Sequence, residues 1–218
     1  MNLKVKDKKI VTKNVFSLIF EKPKDFNFYA GQYLDYQLPI KDPLGDTRPF
    51  TISASPTEPF LMLSTKKGFS VFKKALYKLK AGDQIQTSHP AGTFILDESS
   101  SAVFIAGGIG ITPFRSIIKY SLDQKISTPM TLIYSNSDDN FLFKKELESW
   151  KQNLPNLTII YYNSTKNGRL IQLPATSYQL PIYYLAGSHS FVNNMAQILI
   201  ESGVDETSIR YDRFDGYA

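Results

Sequence analysis

The chain has 218 residues, 42% of them hydrophobic and 21% charged, and a formal net charge of +5. That length suffices for a well-buried core and for one large domain or two small ones. Cysteine is absent, which excludes disulfides, thiolate zinc sites and cysteine-ligated iron–sulfur clusters, and two histidines argue against a histidine metal site. Neither a signal-like segment nor an apolar run long enough to span a bilayer is visible. We therefore expect a cytoplasmic protein without an integral membrane segment.

Short strands separated by glycine and proline turns are predicted in the first half of the chain. The predicted strands are 15–20, 34–38, 50–52, 60–63, 85–87 and 94–96. Ser70 is expected to cap a short helix over 71–79, which Gly82 ends. Strands at this spacing predict a small antiparallel β-barrel.

After a polar stretch at 97–101 the pattern changes to continuous apolar strands alternating with helices. The predicted strands are 102–106, 130–134, 157–161, 182–185 and 208–211, and the predicted helices are 113–122, 142–153 and 191–202. Thr112 is expected to be the N-cap of the first helix, with Pro113 at its first position. The alternation predicts βαβ units and a parallel sheet. We therefore predict two domains, an antiparallel β-barrel over 1–98 and a parallel α/β domain over 99–218.

The first functional motif is Arg48-Pro49-Phe50-Thr51, which lies in the β-rich half. It places a cation, an aromatic ring and a hydroxyl within four residues, and these groups can hold a phosphate and the flat ring of a flavin. Taken alone, the motif is better explained by a surface arginine, a core phenylalanine and an ordinary strand threonine.

The second motif is the glycine turn at 107–113, between a predicted strand and a predicted helix. A tight turn that leads into a helix N-terminus suits a pyrophosphate, and ligands of parallel sheets bind at the carboxyl ends of strands. Taken alone, it is simply a tight turn. A flavin site followed by a nicotinamide-nucleotide site implies hydride transfer between them.

Taken in chain order, these motifs and several other segments resemble the ferredoxin–NADP reductase superfamily, the flavin-containing reductases that include cytochrome b5 reductase. The resemblance covers nearly the whole chain. The other matching segments are Gly31-Gln32-Tyr33, Gly68-Phe69-Ser70, Gly82-Asp83, 89–94, Gly168-Arg169 and 214–217.

The resemblance implies that the first motif binds FAD. Arg48 would pair with the flavin pyrophosphate, since a guanidinium fork matches phosphate oxygens. Phe50 would follow Pro49 and pack on the ring system, where relatives usually carry tyrosine. Thr51 would lie near flavin N5, the atom that accepts the hydride, and is our first catalytic candidate.

Further flavin contacts are implied by two other matching segments. Gly68, Phe69 and Ser70 would form the turn that holds the flavin phosphate, with amides from the helix that follows. Phe214 or Tyr217 would shield the far face of the flavin, and Phe214 is our second catalytic candidate. Packing of the chain's C-terminal segment is an equally good explanation of this aromatic pair.

The nucleotide contacts implied by the resemblance lie in the second half. Gly107, Gly108 and Gly110 would let NAD(P)H approach the backbone closely, and Thr112 would contact the nucleotide. The family usually places a Cys-Gly pair beside the reacting nicotinamide, and this chain has Ala186-Gly187 there. Because the hydride moves directly between the rings, the missing thiol is expected to tune the activity rather than to abolish it.

Cofactor choice is predicted from the loop that begins at Ser135. Asp138 and Asp139 favour the ribose hydroxyls of NADH, whereas a 2′-phosphate would favour arginine or lysine. Ser137 stands where relatives often carry arginine. A polar loop whose acids face water is the alternative interpretation, so NADH is only weakly preferred over NADPH.

The partner prediction depends on charge. Much of the positive excess lies in one basic cluster, which consists of Lys66, Lys67, Lys73, Lys74, Lys78 and Lys80. It is either a solvated helix face or a docking patch for an acidic electron acceptor of the ferredoxin or flavodoxin type. No nucleic-acid partner is expected, because the basic residues match no reading motif.

The predicted function is electron transfer from NAD(P)H through FAD to a separate acceptor such as ferredoxin, flavodoxin or an oxygenase component. Two alternatives stay open. One is an NAD(P)H:flavin reductase that uses free flavin as substrate. The other is a non-catalytic electron-transfer subunit of a larger complex, which the missing thiol mildly favours.

Overall fold

The computed structural model describes residues 1–170 and 180–214, which form two β-sheets. The elements of the first part are strands β1 (Asn2–Thr12), β2 (Val15–Glu21), β3 (Tyr33–Gln37), β4 (Thr47–Thr51) and β5 (Phe60–Lys66), helix α1 (Val71–Lys78) and strand β6 (Gln84–Thr87). Its six antiparallel strands run in the order β4-β3-β6-β1-β2-β5. A bridge between Ile52 and Leu63 joins the two outer strands and closes the sheet into a barrel. The predicted antiparallel barrel is confirmed.

The second part is a parallel sheet covered by helices. Its elements are β7 (Ala102–Gly107), α2 (Ile111–Gln124), β8 (Met130–Asn136), α3 (Lys144–Lys151), β9 (Leu157–Asn163), α4 (Ser164–Asn167), β10 (Ile182–Ser188), α5 (His189–Glu201) and β11 (Ile209–Phe214). The strands run in the order β11-β10-β7-β8-β9, and every neighbouring pair is parallel. The predicted parallel α/β architecture is therefore confirmed.

Burial in the two sheets follows their different surroundings. The second sheet has helices on both faces, and β7 is consequently buried from Ala102 to Ala106 without alternation. In the barrel, β1 alternates instead, with Leu3 and Val5 in the core and Lys4 in solvent. The segments 15–20 and 60–63 were predicted from their apolar side chains, and both are strands with largely buried side chains.

Two local predictions are wrong, and each has a packing reason. The segment 94–96 is not a strand. The Phe94 ring instead lies 5.7 Å from that of Phe114 and 5.5 Å from that of Tyr184, so it packs the barrel side of the chain against the second sheet. Thr112 is not an N-cap, because the turn Gly108–Gly110 is itself a 3₁₀ turn that winds directly into α2.

Other boundaries shift by a few residues. The helix predicted over 142–153 begins at Lys144, since Phe143 has a φ of 62° and cannot continue a right-handed helix. The strand β1 was not predicted, because its apolar alternation covers only Leu3 and Val5 within a lysine-rich segment. In 1–170 and 180–214, no helix has the length and apolar character needed to cross a membrane.

Candidate functional site

A cleft of about 320 Å³ opens between the barrel and the parallel sheet. Barrel residues from β3, β4, β5 and α1 form one wall, and the glycine turn, α2 and β11 form the other. The lining residues are Tyr33, Asp35, Arg48, Pro49, Phe50, Thr51, Ser64, Thr65, Ser70, Phe72, Lys73, Ile109, Thr112, Asp212, Arg213 and Phe214. The cleft thus brings together residues of both predicted motifs, which lie about 60 positions apart in the sequence.

Arg48 lies in the cleft wall and also holds a neighbouring loop. Its side chain is buried, and Nη2 contacts Asp42 Oδ2 at 3.3 Å in an ion pair that is almost fully enclosed. Nη1 donates to the carbonyl oxygens of Gly45 and Thr47 at 2.9 and 2.7 Å. The guanidinium also lies 5.4 Å from the Phe72 ring centroid. These contacts hold the Arg48 guanidinium in one orientation. The sequence motif at 48–51 does not predict that orientation, because Asp42, Gly45 and Phe72 lie outside it.

Aromatic rings form the apolar part of the same wall. Phe50 stacks against Phe72 with centroids 6.0 Å apart and an interplanar angle of 26°, and its ring also meets the edge of Tyr36. Phe214, at the end of β11, lines the cleft from the other side. A planar apolar ligand would find aromatic groups on both sides of this cleft.

Thr51 contacts a carboxyl group that the sequence analysis did not identify. Thr51 Oγ1 donates to Asp212 Oδ2 at 3.4 Å, between the end of β4 and the last described strand. Burial raises the pKa of Asp212 to about 7, and the hydrogen bond from Thr51 opposes this only partly. A carboxyl that titrates near neutrality beside a hydroxyl can hold and exchange a proton at the cleft.

The N-terminus of α1 supplies the polar end of the cleft. Ser70 Oγ accepts from the Lys73 backbone N–H at 3.3 Å, which confirms Ser70 as the N-cap. Burial, and secondly the charge of Lys66, lower the pKa of Lys73. Phe69 is 90% exposed, and neither Phe69 nor Gly68 is among the residues that line the cleft.

The glycine turn is shaped first by internal packing. A Cβ on Gly110 would lie 2.1 Å from the carbonyl oxygen of Ala186, and one on Gly107 would lie 2.6 Å from the Phe191 ring. Gly108 is different, because its φ is +55° and the atom nearest to such a Cβ is Lys66 Nζ at 3.5 Å. Of these three glycines, Gly108 is the one with room beside its backbone.

Thr112 and the β10 segment take different positions around this turn. Thr112 lines the cleft, and its Oγ1 donates to the Ile109 carbonyl oxygen at 3.2 Å. Ala186 is fully buried behind the turn, and Gly187 follows it at the end of β10. Tyr217 lies outside the described residues.

A second cleft of about 340 Å³ opens beside the carboxyl ends of β8 and β9 and the start of α5. Its lining residues are Ser135, Ser164, Arg169, Leu170, Ser190, Phe191, Asn194 and Met195. It combines hydroxyl groups with one guanidinium, a set that suits a sugar or a phosphate. Ser135 and Gly168-Arg169 belong to segments with a recognisable sequence signal, whereas Ser164 and Ser190 carry none.

The acidic residues after β8 are bound within their own loop. Asp138 Oδ1 accepts from Asn136 Nδ2 at 2.9 Å and from the Asn140 backbone N–H at 2.8 Å. Asp139 forms an exposed ion pair with Lys166 at 2.5 Å, and the hydrogen bond from Lys166 is the main cause of its lowered pKa. Neither acid is among the residues that line the second cleft.

Comparison with known proteins finds similarity to an NAD-binding domain family, to flavohemoproteins and to the reductase subunit of a monooxygenase. The sequence profile of the oxidoreductase NAD-binding domain family matches residues 104–172. The flavohemoprotein of Bacillus subtilis is 29% identical over 215 residues, which cover 88% of this chain and 54% of that protein. The reductase subunit of glycine betaine monooxygenase from Pseudomonas aeruginosa is 24% identical over 219 residues, covering 91% of this chain and 59% of that subunit. The chain thus spans a little over half the length of these relatives.

A solved structure has the same architecture as the described residues. Ferredoxin–NADP⁺ reductase from Plasmodium falciparum superposes with a TM-score of 0.80 at 21% identity, and the match covers 98% of this chain and 95% of that one. At this identity the likeness concerns the fold, which is a barrel followed by a parallel α/β sheet.

Proposed function

We propose that the chain is an FAD-dependent NAD(P)H oxidoreductase of the ferredoxin–NADP reductase superfamily. It takes a hydride from NAD(P)H and passes electrons to a separate acceptor. The observation that carries the proposal is the cleft itself, in which Phe50, Thr51 and Ser70 meet Thr112 and Phe214. One wall comes from the flavin motif and the other from the nucleotide-binding half.

The groups in the first cleft fit a flavin nucleotide. The side chains of Arg48 and Lys73 are donors suited to phosphate oxygens. The amides of Val71 and Phe72 are further donors, because the first amides of a helix have no acceptor within it and Ser70 Oγ takes up only that of Lys73. Phe50 and Phe214 offer aromatic surfaces for the ring system. When bound, the flavin would accept a hydride and release electrons to an acceptor.

Thr51 and Asp212 would bind and exchange a proton beside that ring system. Thr51 Oγ1 already donates to Asp212 Oδ2, and the pKa of Asp212 is raised to about 7, so this carboxyl can exchange a proton near neutral pH. Phe214 is proposed to cover the opposite face and to exclude water. Tyr217 remains a second candidate for the same role.

The second half is proposed to bind NAD(P)H, with a domain boundary between residues 98 and 99. Gly108 leaves room for a phosphate beside Lys66, while Thr112 faces the first cleft. Ser135 and Arg169 line the second cleft, which suits the sugar and phosphate groups of the adenosine end. Ala186 and Gly187 would form the backbone support behind the reacting nicotinamide.

The choice between NADH and NADPH has evidence on both sides. Asp138 and Asp139 support NADH, although their carboxylates are engaged by Asn136 and Lys166. Arg169, in the second cleft, would favour the 2′-phosphate of NADPH. We keep NADH as the proposed donor. Comparing kcat/KM for both nucleotides in the wild type and in Arg169→Gln tests this, and a strong NADPH preference that the variant loses would reverse it.

The acceptor is proposed to be a separate redox protein, of the ferredoxin or flavodoxin type or an oxygenase component. The Pseudomonas aeruginosa relative is the reductase subunit of a monooxygenase, which supports a division of labour between reductase and acceptor. The basic cluster on and around α1 is proposed as the docking surface for an acidic acceptor, since exposed positive charge steers association with negative partners.

The direct test is to purify the protein, identify any flavin released on denaturation and measure NAD(P)H oxidation with an artificial acceptor. We expect a yellow protein that releases FAD and turns over. Protein that stays colourless and cannot be reconstituted with FAD or FMN would overturn the proposal. Flavin that separates during gel filtration but is reduced when added as substrate would favour the free-flavin reductase. Bound flavin without turnover would favour a non-catalytic electron-transfer subunit.

A further inference from the structure

We propose that Arg115 is a positioning residue, which fixes the nucleotide-binding half against the flavin-binding barrel so that hydride transfer has the correct geometry. Arg115 lies in α2, lines neither cleft, and is only 2% exposed. This inference rests on the proposed function for its kinetic part, although its structural part can be tested without a cofactor.

Every N–H group of the Arg115 guanidinium has an acceptor. Nη1 donates to Glu58 Oε2 and to the Ser53 carbonyl oxygen, both at 2.8 Å, and Nη2 donates to Glu58 Oε1 at 3.1 Å. Nε and Nη2 contact the two carboxylate oxygens of Glu146 at 2.8 and 3.3 Å. Ser53 and Glu58 belong to the barrel, whereas Glu146 belongs to α3. One side chain therefore ties α2 and α3 to the barrel.

Neighbouring contacts make the same connection. Ser116 Oγ donates to the Ala54 carbonyl oxygen at 2.6 Å, and both residues are fully buried. The Arg115 guanidinium also lies 5.1 Å from the Phe143 ring and 5.2 Å from the Trp150 ring. A planar guanidinium that is stacked and hydrogen-bonded in this way has one orientation, and lysine could not reproduce it.

These contacts lie close in sequence to two residues that line the first cleft. Ser53 follows Thr51 by two residues, and Arg115 follows Thr112 by three, which is about one helical turn. Thr51 and Thr112 both line the first cleft. Because Arg115 joins the two segments directly behind the cleft, it sets the distance between the proposed flavin and nicotinamide sites. A misplacement of about 1 Å at reacting groups can cost about a hundredfold in rate.

The structural test uses the absence of cysteine from the chain. Spin labels on Lys24→Cys and Glu201→Cys, one exposed position in each half, report the distance between the halves. We expect a narrow distribution of distances between the two labels in the doubly labelled protein with Arg115 intact. The same labelled protein with Arg115→Met should give a broadened or shifted distribution. Arg115→Met leaves two carboxylates without their cation, of which Glu58 is largely buried and Glu146 is 44% exposed. The double variant Arg115→Met with Glu58→Gln removes the buried one and is therefore expected to fold. Unchanged distributions in folded variants would overturn the proposal.

The kinetic test measures flavin reduction in a single turnover at saturating NAD(P)H. We expect at least a tenfold slower reduction in the double variant, with FAD affinity within threefold of wild type and partial recovery in Arg115→Lys. Leu199→Ala, a core substitution in α5, is the control for lost stability and should change melting temperature but neither rate nor distance.

Two further outcomes also test the role of Arg115: failure of the variants to fold, and failure of the wild-type protein to reduce flavin. If both Arg115→Met variants fail to fold, Glu58→Gln and Ser116→Ala alone are measured. A threefold or greater loss of rate in Glu58→Gln supports the proposal, and no change in either rate or distance overturns it. If wild-type protein does not reduce flavin, the proposed function fails, and the distance measurement still decides whether Arg115 orients the two halves.

Discussion

At the scale of single residues, the cleft depends on side chains with both a structural and a chemical role. Arg48 is the clearest example, because its guanidinium orients the loop at Asp42 and also reaches the cleft wall. Removing it to alanine would leave Asp42 enclosed without its cation, which destabilises the fold as well as the site. The conservative replacement by lysine separates the two effects better.

Arg48→Lys is therefore expected to weaken FAD binding. Lysine retains the charge but lacks the planar fork, and a lost hydrogen bond between charged groups costs roughly 1.5–3 kcal/mol, which is about a tenfold to hundredfold loss of affinity. Fluorescence titration with FAD measures this. Riboflavin, which has no phosphate, is the matched control ligand and should bind both proteins alike. Unchanged FAD affinity would remove Arg48 from the phosphate site.

Asp212 is expected to make the protein less stable as pH rises, which is the opposite of what a carboxylate in a salt bridge does. Its pKa is raised to about 7 by burial, so in the native state it stays protonated where an unfolded aspartate has already ionised. The native state therefore loses stability as pH rises from about 4 to about 7, by about 2–4 kcal/mol, and no further above that range.

Asp212→Asn tests this directly. The variant keeps the shape without the titration, so it should equal wild type in urea unfolding near pH 4 and be the more stable protein at pH 8. Asp25→Asn, at an exposed carboxylate after β2, is the matched control and should show no such gain. If Asp212→Asn is no more stable than wild type at pH 8, Asp212 does not have a raised pKa.

At the scale of elements, the sequence predicts the first residue of α1 correctly and that of α2 incorrectly. The cap of α1 is determined by Ser70 and its neighbour Lys73, and the prediction is confirmed. The start of α2 depends on a 3₁₀ turn at Gly108–Gly110, which the backbone adopts because Gly110 must pack against Ala186. That constraint comes from β10, so the predicted cap at Thr112 was wrong.

Helix α1 also carries the exposed part of the basic cluster. Lys74 and Lys78 are exposed and lie one turn apart, whereas Lys73 belongs to the cleft wall. Lys74→Glu with Lys78→Glu should slow reduction of an acidic carrier protein several-fold at low salt, and leave reduction of a small neutral acceptor unchanged, because screened Coulomb attraction acts on the carrier alone. Stopped-flow measurements over a salt series check this.

Lys145→Glu with Lys151→Glu makes the same change of net charge on α3, outside the basic cluster. That control should reduce the carrier at close to the wild-type rate. Equal effects of the two double variants would show that overall charge, rather than the surface of α1, determines docking. No effect of either would make the basic cluster a solvated helix face.

At the scale of the whole molecule, the cleft has walls from both halves, so a bound flavin should stabilise the entire chain. With free FAD at about 100 times its Kd, binding contributes about 2.7 kcal/mol, which corresponds to roughly a 5–10 °C rise in Tm for a chain of this size. Differential scanning calorimetry with and without FAD measures it. A rise confined to one of two separate transitions would show that the flavin contacts only one half.

Local sequence signals were enough to predict the type and order of most elements and to identify both motifs. Strand and helix periodicity, glycine turns and helix caps each depend on residues a few positions apart, so they can be recognised within a short segment. Arg48, Thr51 and Thr112 lie in such segments, and their site roles were implied by the resemblance of the motifs, taken in order, to a known family. All three line the same cleft.

Which distant groups meet was settled by tertiary packing. Thr51 and Asp212 are 161 positions apart, and Arg115 and Glu58 are 57 apart, so no local pattern connects either pair. Asp212 lies in a strand that reaches the barrel only because β11 is added to the edge of the parallel sheet beside β10. The raised pKa of Asp212 arises from that packing, whereas the buried contacts of Arg115 arise where α2 packs against α3 and the segment between β4 and β5. Burial in both cases is a property of the folded molecule and not of a segment.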